Sequence, residues 1–392
     1  MSSNIKCPVC SSEDISLFYK TTNIPIHVGI MWTSKKDALN CPKSNIRLVF
    51  CSNCSFIWNL DFDPDLLQYD GAYDNSLHFS PLYQKYAKSV ADYLVMKYNL
   101  YHKDIIEIGS GRGDFLSMLC EIGNNRGVGF DLSFGGTPVS IGNQIKLIKD
   151  CYSNKYSDYK GDLICSRYVF EHIANPKEFL TMIRRTIGNR LNSIVYFEVP
   201  NVLFIIRELS IWDIIYEHYS YFNLISLQHV FNLCGFKINY LCETFDGQFI
   251  SIEAFPKADT KTSNHNKDNG KLNKILNYID NFSTNYKANL KYWNDIISGL
   301  NETNKKVVVW GAGARGVSFL NMLNINDYLK YVVDINPRKK DKFIPGTAQH
   351  IVPPIFLQEY KPDAVILTNP IYKNEIRQIL NELNLHPQLL CS

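Results

Sequence analysis

The sequence predicts an α/β protein of three parts: a small cysteine-rich module, a central Rossmann-like domain and a smaller Rossmann-like domain after it. Two C-x-x-C pairs stand near the start of the chain. Two apolar segments, near residues 104 and 307, each run into a glycine-rich turn that opens a helical pattern. Strands that alternate with helices favour parallel, doubly wound sheets.

The composition narrows the classes of function. With 45% hydrophobic and 20% charged residues, the 392-residue chain has the make-up of a globular protein of two or three domains. A net charge of +3 without a long Lys/Arg run argues against a nucleic-acid partner. No stretch approaches ~20 continuous apolar residues, and no secretory signal is visible, so we expect no membrane association. Most of the 11 cysteines stand singly among apolar residues, which indicates a reducing, cytoplasmic location.

The cysteine pairs predict a metal site. Cys7 and Cys10 form one pair, and Cys51 and Cys54 form the other. Together they supply four thiolates, which close a tetrahedral Zn²⁺ site and leave no position for water, so the predicted zinc is structural. Four unligated buried thiols are the alternative. Cys41 is expected to be a non-ligand cysteine.

The central unit begins with a short strand at residues 104–108, a turn of three glycines at 109–113 and a helix at 114–122. A second strand is predicted at 127–131. A helix is expected to start near Leu82, and further strands at residues 162–165 and 193–199. Glycines allow the backbone to turn tightly and to approach a ligand closely.

Two carboxylates indicate which ligand this turn takes. Asp131 closes the second strand, where a carboxylate accepts the hydroxyls of a ribose. Glu107 precedes the turn, a position at which methyltransferases often carry an acid near the sulfonium and amino-acid portion of S-adenosylmethionine. The pattern therefore favours S-adenosylmethionine over NAD(P) or over a turn without a ligand.

A polar segment at residues 256–270 is expected to be a linker, and a helical pattern resumes at Leu272. A second strand–turn–helix unit follows, with glycines at 311, 313 and 316, a strand ending in acid at 331–334 and a third strand at 363–367. Alone it would predict an NAD site, but the unit is short for a dinucleotide fold. Contact with the substrate and a purely structural role are the other interpretations.

Several motifs in this order resemble one family. They are the two cysteine pairs and residues 73–80, 107–113, 170–173, 198–201, 217–222, 311–316, 334–337 and 345–347. The chain is similar over nearly its whole length to the three-domain C-methyltransferases of nucleotide-linked sugars. The resemblance implies a zinc-binding module at 1–75, a class I methyltransferase (Rossmann-like) domain at 76–260 and a smaller Rossmann-like substrate-binding domain at 270–392.

The resemblance also implies roles for individual residues. His218 matches the family's general base, and a neutral imidazole suits removal of a proton next to a ketone. Glu217 is expected to bind a sugar hydroxyl, and His172 or Tyr73 to donate to the enolate oxygen. The expected cofactor-binding residues are Glu107, Gly109, Gly111, Gly113, Asp131 and Asp150. The expected substrate-binding residues are Tyr216, Arg315 and Asn336.

One position departs from the family's pattern. The family carries Tyr-x-Glu-His, whereas Ile215 stands here in place of the tyrosine and Tyr216 follows it. This departure bears on the identity of the substrate more than on the role of His218 as the base. The alternatives without a catalytic role are that His218 is a hydrogen-bonded structural residue within an aromatic cluster and that His172 only occupies the end of a helix.

The expected activity is C-methylation of a nucleotide-linked keto sugar for a deoxysugar or surface-polysaccharide pathway. The protein would act on a small molecule as a monomer or homodimer. The rivals are an O- or N-methyltransferase, which needs no carbon acid, an RNA-binding zinc protein and a pseudo-enzyme.

Overall fold

The structure is a computed structural model that describes residues 5–67, 71–134, 139–141, 144–258, 269–323, 325 and 328–392. Three sheets form the framework. The predicted α/β class with Rossmann-like units is confirmed. The domain limits at 1–75, 76–260 and 270–392 stay a proposal.

The first sheet is antiparallel and small. Its strands, in the order β1-β2-β3-β10, are β1 (Ile15–Pro25), β2 (Lys43–Cys51), β3 (Ile57–Asn59) and β10 (Ser220–Tyr221). A short helix, α1 (Lys35–Leu39), lies between β1 and β2. Because β10 comes from the central part of the chain, the N-terminal sheet is completed by residues that directly follow His218.

The second sheet has eight strands in the order β11-β12-β9-β8-β4-β5-β7-β6. They are β4 (Asp104–Ile108), β5 (Arg126–Phe130), β6 (Val139–Ile141), β7 (Ile145–Ile148), β8 (Leu163–Arg167), β9 (Ile194–Pro200), β11 (Phe236–Thr244) and β12 (Phe249–Pro256). The five central strands are parallel, and β6, β12 and β11 add antiparallel edges. The helices are α2 (Pro81–Tyr98), α3 (Asp114–Gly123), α4 (Pro176–Ile187), α5 (Val202–Arg207) and α6 (Leu224–Leu233).

The third sheet is parallel throughout, in the order β15-β14-β13-β16-β17. Its strands are β13 (Val307–Trp310), β14 (Tyr331–Val333), β15 (His350–Val352), β16 (Ala364–Leu367) and β17 (Gln388–Cys391). The helices are α7 (Asn269–Glu302), α8 (Ala314–Met322), α9 (Leu357–Tyr360) and α10 (Lys373–Glu382). Sequence analysis found three of these strands and missed β15 and β17.

The long helix α7 joins the outer sheets. Tyr19 of β1 packs against Phe282 and Tyr286 of α7, with ring centroids 5.9 and 4.9 Å apart. Further along α7, Trp293 packs on Phe319 of α8 at 5.3 Å. No helix in the described part of the chain is long and apolar enough to cross a membrane. Of the polar segment predicted at 256–270, residues 259–268 lie outside the described ranges.

Candidate functional site

A cavity of about 1120 Å³ lies at the carboxyl ends of the two parallel sheets. Both glycine-rich turns line it, β4 running into the first and β13 into the second. In each sheet the strand order reverses beside that strand, which is where open α/β sheets bind ligands. Pockets for one small ligand span roughly 300–1,000 Å³. The volume therefore suits two ligands held side by side.

The first turn needs its glycines. Gly109 has a φ of +74°, and a Cβ there would lie 1.9 Å from the side chain of Val169. Gly113, with a φ of +83°, is the N-cap of α3. A side chain at either position would be strained, so the backbone can turn and face the cavity only with glycine.

Two acids stand beside this turn. Asp131 accepts hydrogen bonds from the backbone N of Gly111 at 2.7 Å and of Ser133 at 2.8 Å. Glu107 is buried, and its Oε2 has no hydrogen-bond partner among the described residues. Burial raises the pKa of Glu107 to about 8, against the opposing charge of Arg167. A buried, unpaired carboxyl at a cavity wall fits the cationic end of S-adenosylmethionine.

Asp150 lines the cavity as well. Its carboxylate accepts from the Tyr156 hydroxyl at 2.5 Å and from Lys155 Nζ at 2.9 Å. The Tyr156 hydrogen bond, followed by that from Lys155, lowers the pKa of Asp150. It is therefore held ionised near the end of β7.

The second turn repeats the hydrogen bonds of the first. Asp334 accepts from the backbone N of Ala312 and of Asn336, each at 2.7 Å. Arg315 lines the cavity and pairs with Asp213, with Nε 2.6 Å from Oδ1. A ligand anion at Arg315 would therefore compete with a carboxylate.

Two histidines, here termed the histidine wall, line the same cavity. The His172 and His218 rings lie 5.0 Å apart, edge to face. His172 ends a short 3-10 turn after β8, and its Nδ1 lies 2.9 Å from the carbonyl oxygen of Glu217. Burial, followed by the charge of His172, lowers the pKa of His218 well below its usual value. Burial also lowers the pKa of His172, so both rings are neutral at neutral pH.

Most of the predicted catalytic, cofactor and substrate residues line this cavity, and the exceptions are Gly113, Tyr216 and Glu217. The carboxylate of Glu217 is fully buried and accepts from the backbone N of Val28 at 3.2 Å. It also lies 3.2 Å from Nδ1 of His27. Glu217 therefore contacts the N-terminal part of the chain.

Tyr216 is likewise directed away from the cavity. Its hydroxyl donates to the carbonyl oxygen of Asp61 at 3.1 Å and accepts from the backbone N of Asp63 at 2.9 Å. Tyr73, in contrast, lines the cavity and packs across Gly29, where a Cβ would lie 2.4 Å from its ring.

Comparison with known proteins decides the class. Residues 80–241 match the family model of a methyltransferase domain, and residues 257–386 match that of the C-methyltransferase C-terminal domain. The chain is an S-adenosylmethionine-dependent methyltransferase. Its domain combination is that of a C-methyltransferase with a central S-adenosylmethionine domain, which confirms the family expected from the sequence motifs.

Solved structures resemble part of this methyltransferase. A putative S-adenosylmethionine-dependent methyltransferase from Listeria monocytogenes covers 43% of the chain and 99% of its own length, at 13% identity and a TM-score of 0.33. The magnesium protoporphyrin IX methyltransferase of Synechocystis PCC 6803 covers 45% and 84%, at 15% identity and a TM-score of 0.34. A search of curated protein sequences gives no match. The two family models, and not these distant structures, identify the chain.

The cysteine pairs of the methyltransferase meet in space. Cys7 Sγ lies 3.6 Å from Cys54 Sγ, and Cys10 Sγ lies 3.5 Å from Cys51 Sγ. All four sulfurs lie within 4.8 Å of one another. A tetrahedral Zn²⁺ with bonds of ~2.3 Å sets its sulfurs ~3.8 Å apart. The donor set and its spacing therefore fit one zinc ion.

Sequence analysis assigned no role to a buried ion pair beside the cavity. Arg167 Nη2 donates to Oε1 of Glu198 at 3.0 Å and to the hydroxyl of Tyr83 at 3.0 Å. The Arg167 guanidinium also lies 4.3 Å from the ring centroid of Phe115. The sequence did contain a signal for this ion pair, namely an arginine at the end of an otherwise apolar strand. A charged side chain in such a place is buried only when it is paired.

Glu171 is a second residue without a predicted role. It lines the cavity, and its carboxylate lies within 4.8 Å of the ring nitrogens of His172 and His218. Burial raises the pKa of Glu171 to about 8, so it is protonated at neutral pH. The histidine wall thus contains three neutral titratable groups.

Proposed function

We propose that this methyltransferase transfers a methyl group to a carbon atom of a nucleotide-linked keto sugar. One observation carries the proposal: both glycine-rich turns and the neutral His218 line a single cavity. One turn would hold the cofactor and the other the nucleotide of the substrate. The sugar would lie between them, against the histidines.

The nucleotide is supported by the likeness of the two turns. Asp334 accepts two backbone N–H groups in the same arrangement as Asp131. In both cases the carboxylate follows a strand that pairs with the strand before the turn. A carboxylate at this place in the fold recognises ribose hydroxyls. A second nucleoside is therefore the best candidate for the second turn.

His218 is suited to the first chemical step. A carbon atom becomes a nucleophile only after a proton next to the ketone has been removed, and an imidazole takes up this proton only in its neutral form. Burial holds His218 in that form. The electron pair of the C–H bond then moves to the ketone oxygen, and the proton resides on a ring nitrogen of His218.

The negative charge that develops on the ketone oxygen requires a donor. Tyr73 has a hydroxyl at the cavity wall, and His172 has a second ring nitrogen besides the one beside the Glu217 carbonyl. A positioned donor in a buried site stabilises an oxyanion strongly. S-adenosylmethionine, when bound, supplies the electrophilic methyl group. Glu107 and Asp131 would hold its amino-acid and ribose portions.

Hydrogen exchange tests the step assigned to His218. Wild-type protein in deuterated water, given a nucleotide-linked keto sugar without S-adenosylmethionine, should replace the hydrogen next to the ketone with deuterium, as seen by NMR. His218→Ala should not, whereas His386→Ala, which alters an exposed histidine, should behave as wild type. Exchange by His218→Ala at the wild-type rate would remove His218 from the step. A product methylated on oxygen or nitrogen would favour the rival reaction.

We further propose that the four cysteines hold a structural zinc ion. The support is the spacing of their sulfurs and their position in one apolar cluster with Ile106 and Ile108 of β4. A closed four-thiolate site offers no position for substrate, so the zinc would stabilise the fold rather than take part in chemistry.

A further inference from the structure

Residues 71–80, here termed the wall segment, run between the two glycine-rich turns. Toward the first turn, burial lowers the pKa of His78, and the charge of Asp114, which directly follows Gly113, opposes that shift. Toward the second turn, Asn75 Oδ1 lies 3.7 Å from where a Cβ on Gly313 would stand. Residues 73 to 80 all line the cavity. The wall segment therefore lines the cavity shared by the two turns.

The C-terminal part of the chain holds the middle of the wall segment. Arg338 Nη2 donates to Asp74 Oδ1 at 3.0 Å, and its Nε lies 2.5 Å from Oδ2. Asn336 Nδ2 adds a hydrogen bond to Asp74 Oδ2 at 3.3 Å. The Arg338 guanidinium also lies 4.8 Å from the ring centroid of Phe79. Two residues of the wall segment thus depend on one arginine that follows β14.

The same part of the chain holds the end of the wall segment. Glu375 of α10 accepts from the Ser80 hydroxyl at 2.7 Å and from the backbone N of Leu82 at 3.0 Å. Ser80 is the N-cap of α2, so Glu375 places a carboxylate at the N-terminus of an 18-residue helix. A negative charge there is stabilised by the helix dipole and by unpaired N–H groups.

These contacts are shielded from water. The side chains of Arg338 and Asp74 are 30% and 18% exposed. Although burial opposes it, the hydrogen bond from Ser76 N and the charge of Arg338 lower the pKa of Asp74. Partly buried pairs are screened less than surface pairs, so this one can hold a loop in place.

We propose that Arg338 and Glu375 are positioning residues for the wall segment, through which the C-terminal part of the chain sets the affinity of the S-adenosylmethionine site. In this chain they are separated from the first turn by more than two hundred residues and lie on the other parallel sheet. They act by fixing the position of the wall segment between the two turns. The proposal goes beyond the choice of substrate, because it concerns cofactor binding alone.

Calorimetric titration of the full chain with S-adenosylmethionine tests this. Arg338→Met should weaken binding about 5- to 150-fold, the usual range of coupling between linked sites. Arg377→Met removes an exposed arginine of the same sheet's helix α10 and should bind as wild type. Because Asp74 and Arg338 act as a unit, adding Asp74→Asn to Arg338→Met should cause little further weakening. Melting temperatures of these variants should agree within about 3 °C.

Glu375→Gln is the independent variant, should Arg338→Met fail to fold. It keeps the side-chain size and removes the charge at the α2 N-terminus, and it should also weaken S-adenosylmethionine binding. Wild-type affinity in either folded variant would overturn the role of that residue. Equal loss of affinity in Arg377→Met, or full additivity of Asp74→Asn with Arg338→Met, would show a general effect of charge and overturn the proposal.

Discussion

The two glycine-rich turns each follow a buried strand, but they differ in the spacing of their glycines and in the residue that stands two positions before the first glycine. At the first turn this residue is Glu107, buried and with an unpaired carboxyl oxygen. At the second turn it is Val309, equally buried and apolar. The carboxylates that follow, Asp131 and Asp334, make matching hydrogen bonds. Under the proposed function, each carboxylate would bind a ribose, and Glu107, which has Val309 as its counterpart, would favour a cationic ligand at the first turn.

Under the proposed function, one architecture serves two ligands. The turn and its following carboxylate are properties of the strand–turn–helix unit, so they recur wherever the unit does. Charge recognition depends on a single side chain on the preceding strand. The histidine wall belongs to neither turn, because His172 and His218 come from segments after β8 and before β10. The proposed catalytic residues therefore stand outside both of the proposed ligand-binding turns.

The largest expected effect concerns the proposed zinc site. Cys51→Ala should abolish zinc binding, measured as metal per chain, and lower the melting temperature. Structural zinc sites bind with apparent free energies of about 10–16 kcal/mol, so the loss is large. S-adenosylmethionine binding should weaken with it, because the cysteines and Ile106 and Ile108 of β4 belong to one hydrophobic core. Cys41→Ala is the control, since Cys41 lies outside the four-sulfur group. Wild-type protein purified without chelators and free of zinc would contradict this prediction.

The next effect concerns the proposed base, His218, in the histidine wall. His218→Ala should lower kcat by ~10²–10⁴-fold, the usual contribution of a positioned base. The affinity for S-adenosylmethionine should stay nearly the same, because His218 is assigned to neither turn. Steady-state kinetics and calorimetry measure the two quantities separately. A variant that loses cofactor affinity and keeps kcat would place His218 in binding instead of catalysis.

Paired substitutions separate the turns themselves. Asp131→Ala should weaken S-adenosylmethionine binding by about 1–3 kcal/mol and leave nucleoside diphosphate binding unchanged. Asp334→Ala should do the reverse, measured with uridine and thymidine diphosphates as probes. If both variants weakened the same ligand, the two turns would not hold separate molecules. Tight binding of NAD at either turn would revise the ligand assigned there.

The smallest expected effect concerns Glu107, the acid that precedes the first turn. Because burial raises the pKa of Glu107 to about 8, the carboxyl is protonated at neutral pH and must lose its proton to pair with a cation. The affinity for S-adenosylmethionine should therefore rise as the pH increases from 7 to 8, by less than about tenfold. Binding to Glu107→Gln should be weaker and nearly independent of pH over this range. A wild-type affinity that falls with rising pH would exclude this role for Glu107.

Local patterns predicted the elements that carry the turns. The strand predicted at residues 104–108 is β4, and the one predicted at 331–334 is β14 to within a residue. The strands β15 and β17 were not predicted, although they are no shorter than β14 and β16, which were. Their pairing partners, β14 and β16, supply the hydrogen bonds that define them.

Long-range partners explain what else sequence analysis did not reach. Asp74 and Arg338 are 264 residues apart, and Ser80 and Glu375 are 295 apart. Glu217 directly precedes the expected base, yet its carboxylate is directed to His27 and Val28 of the N-terminal part. No local spacing encodes such contacts, because they exist only once the three sheets have packed together.

By itself, the sequence determined the α/β class, the four clustered cysteines, both glycine-rich turns and the acids that follow them. These features depend on backbone conformation and on neighbours within a few dozen residues, which spacing records. Only the tertiary structure decided that both turns and two histidines line one cavity. It also decided that, among the described residues, Oε2 of Glu107 has no hydrogen-bond partner and that Glu217 and Tyr216 do not line the cavity. The reason is physical: burial, and the pKa changes that follow from it, depend on which surfaces meet.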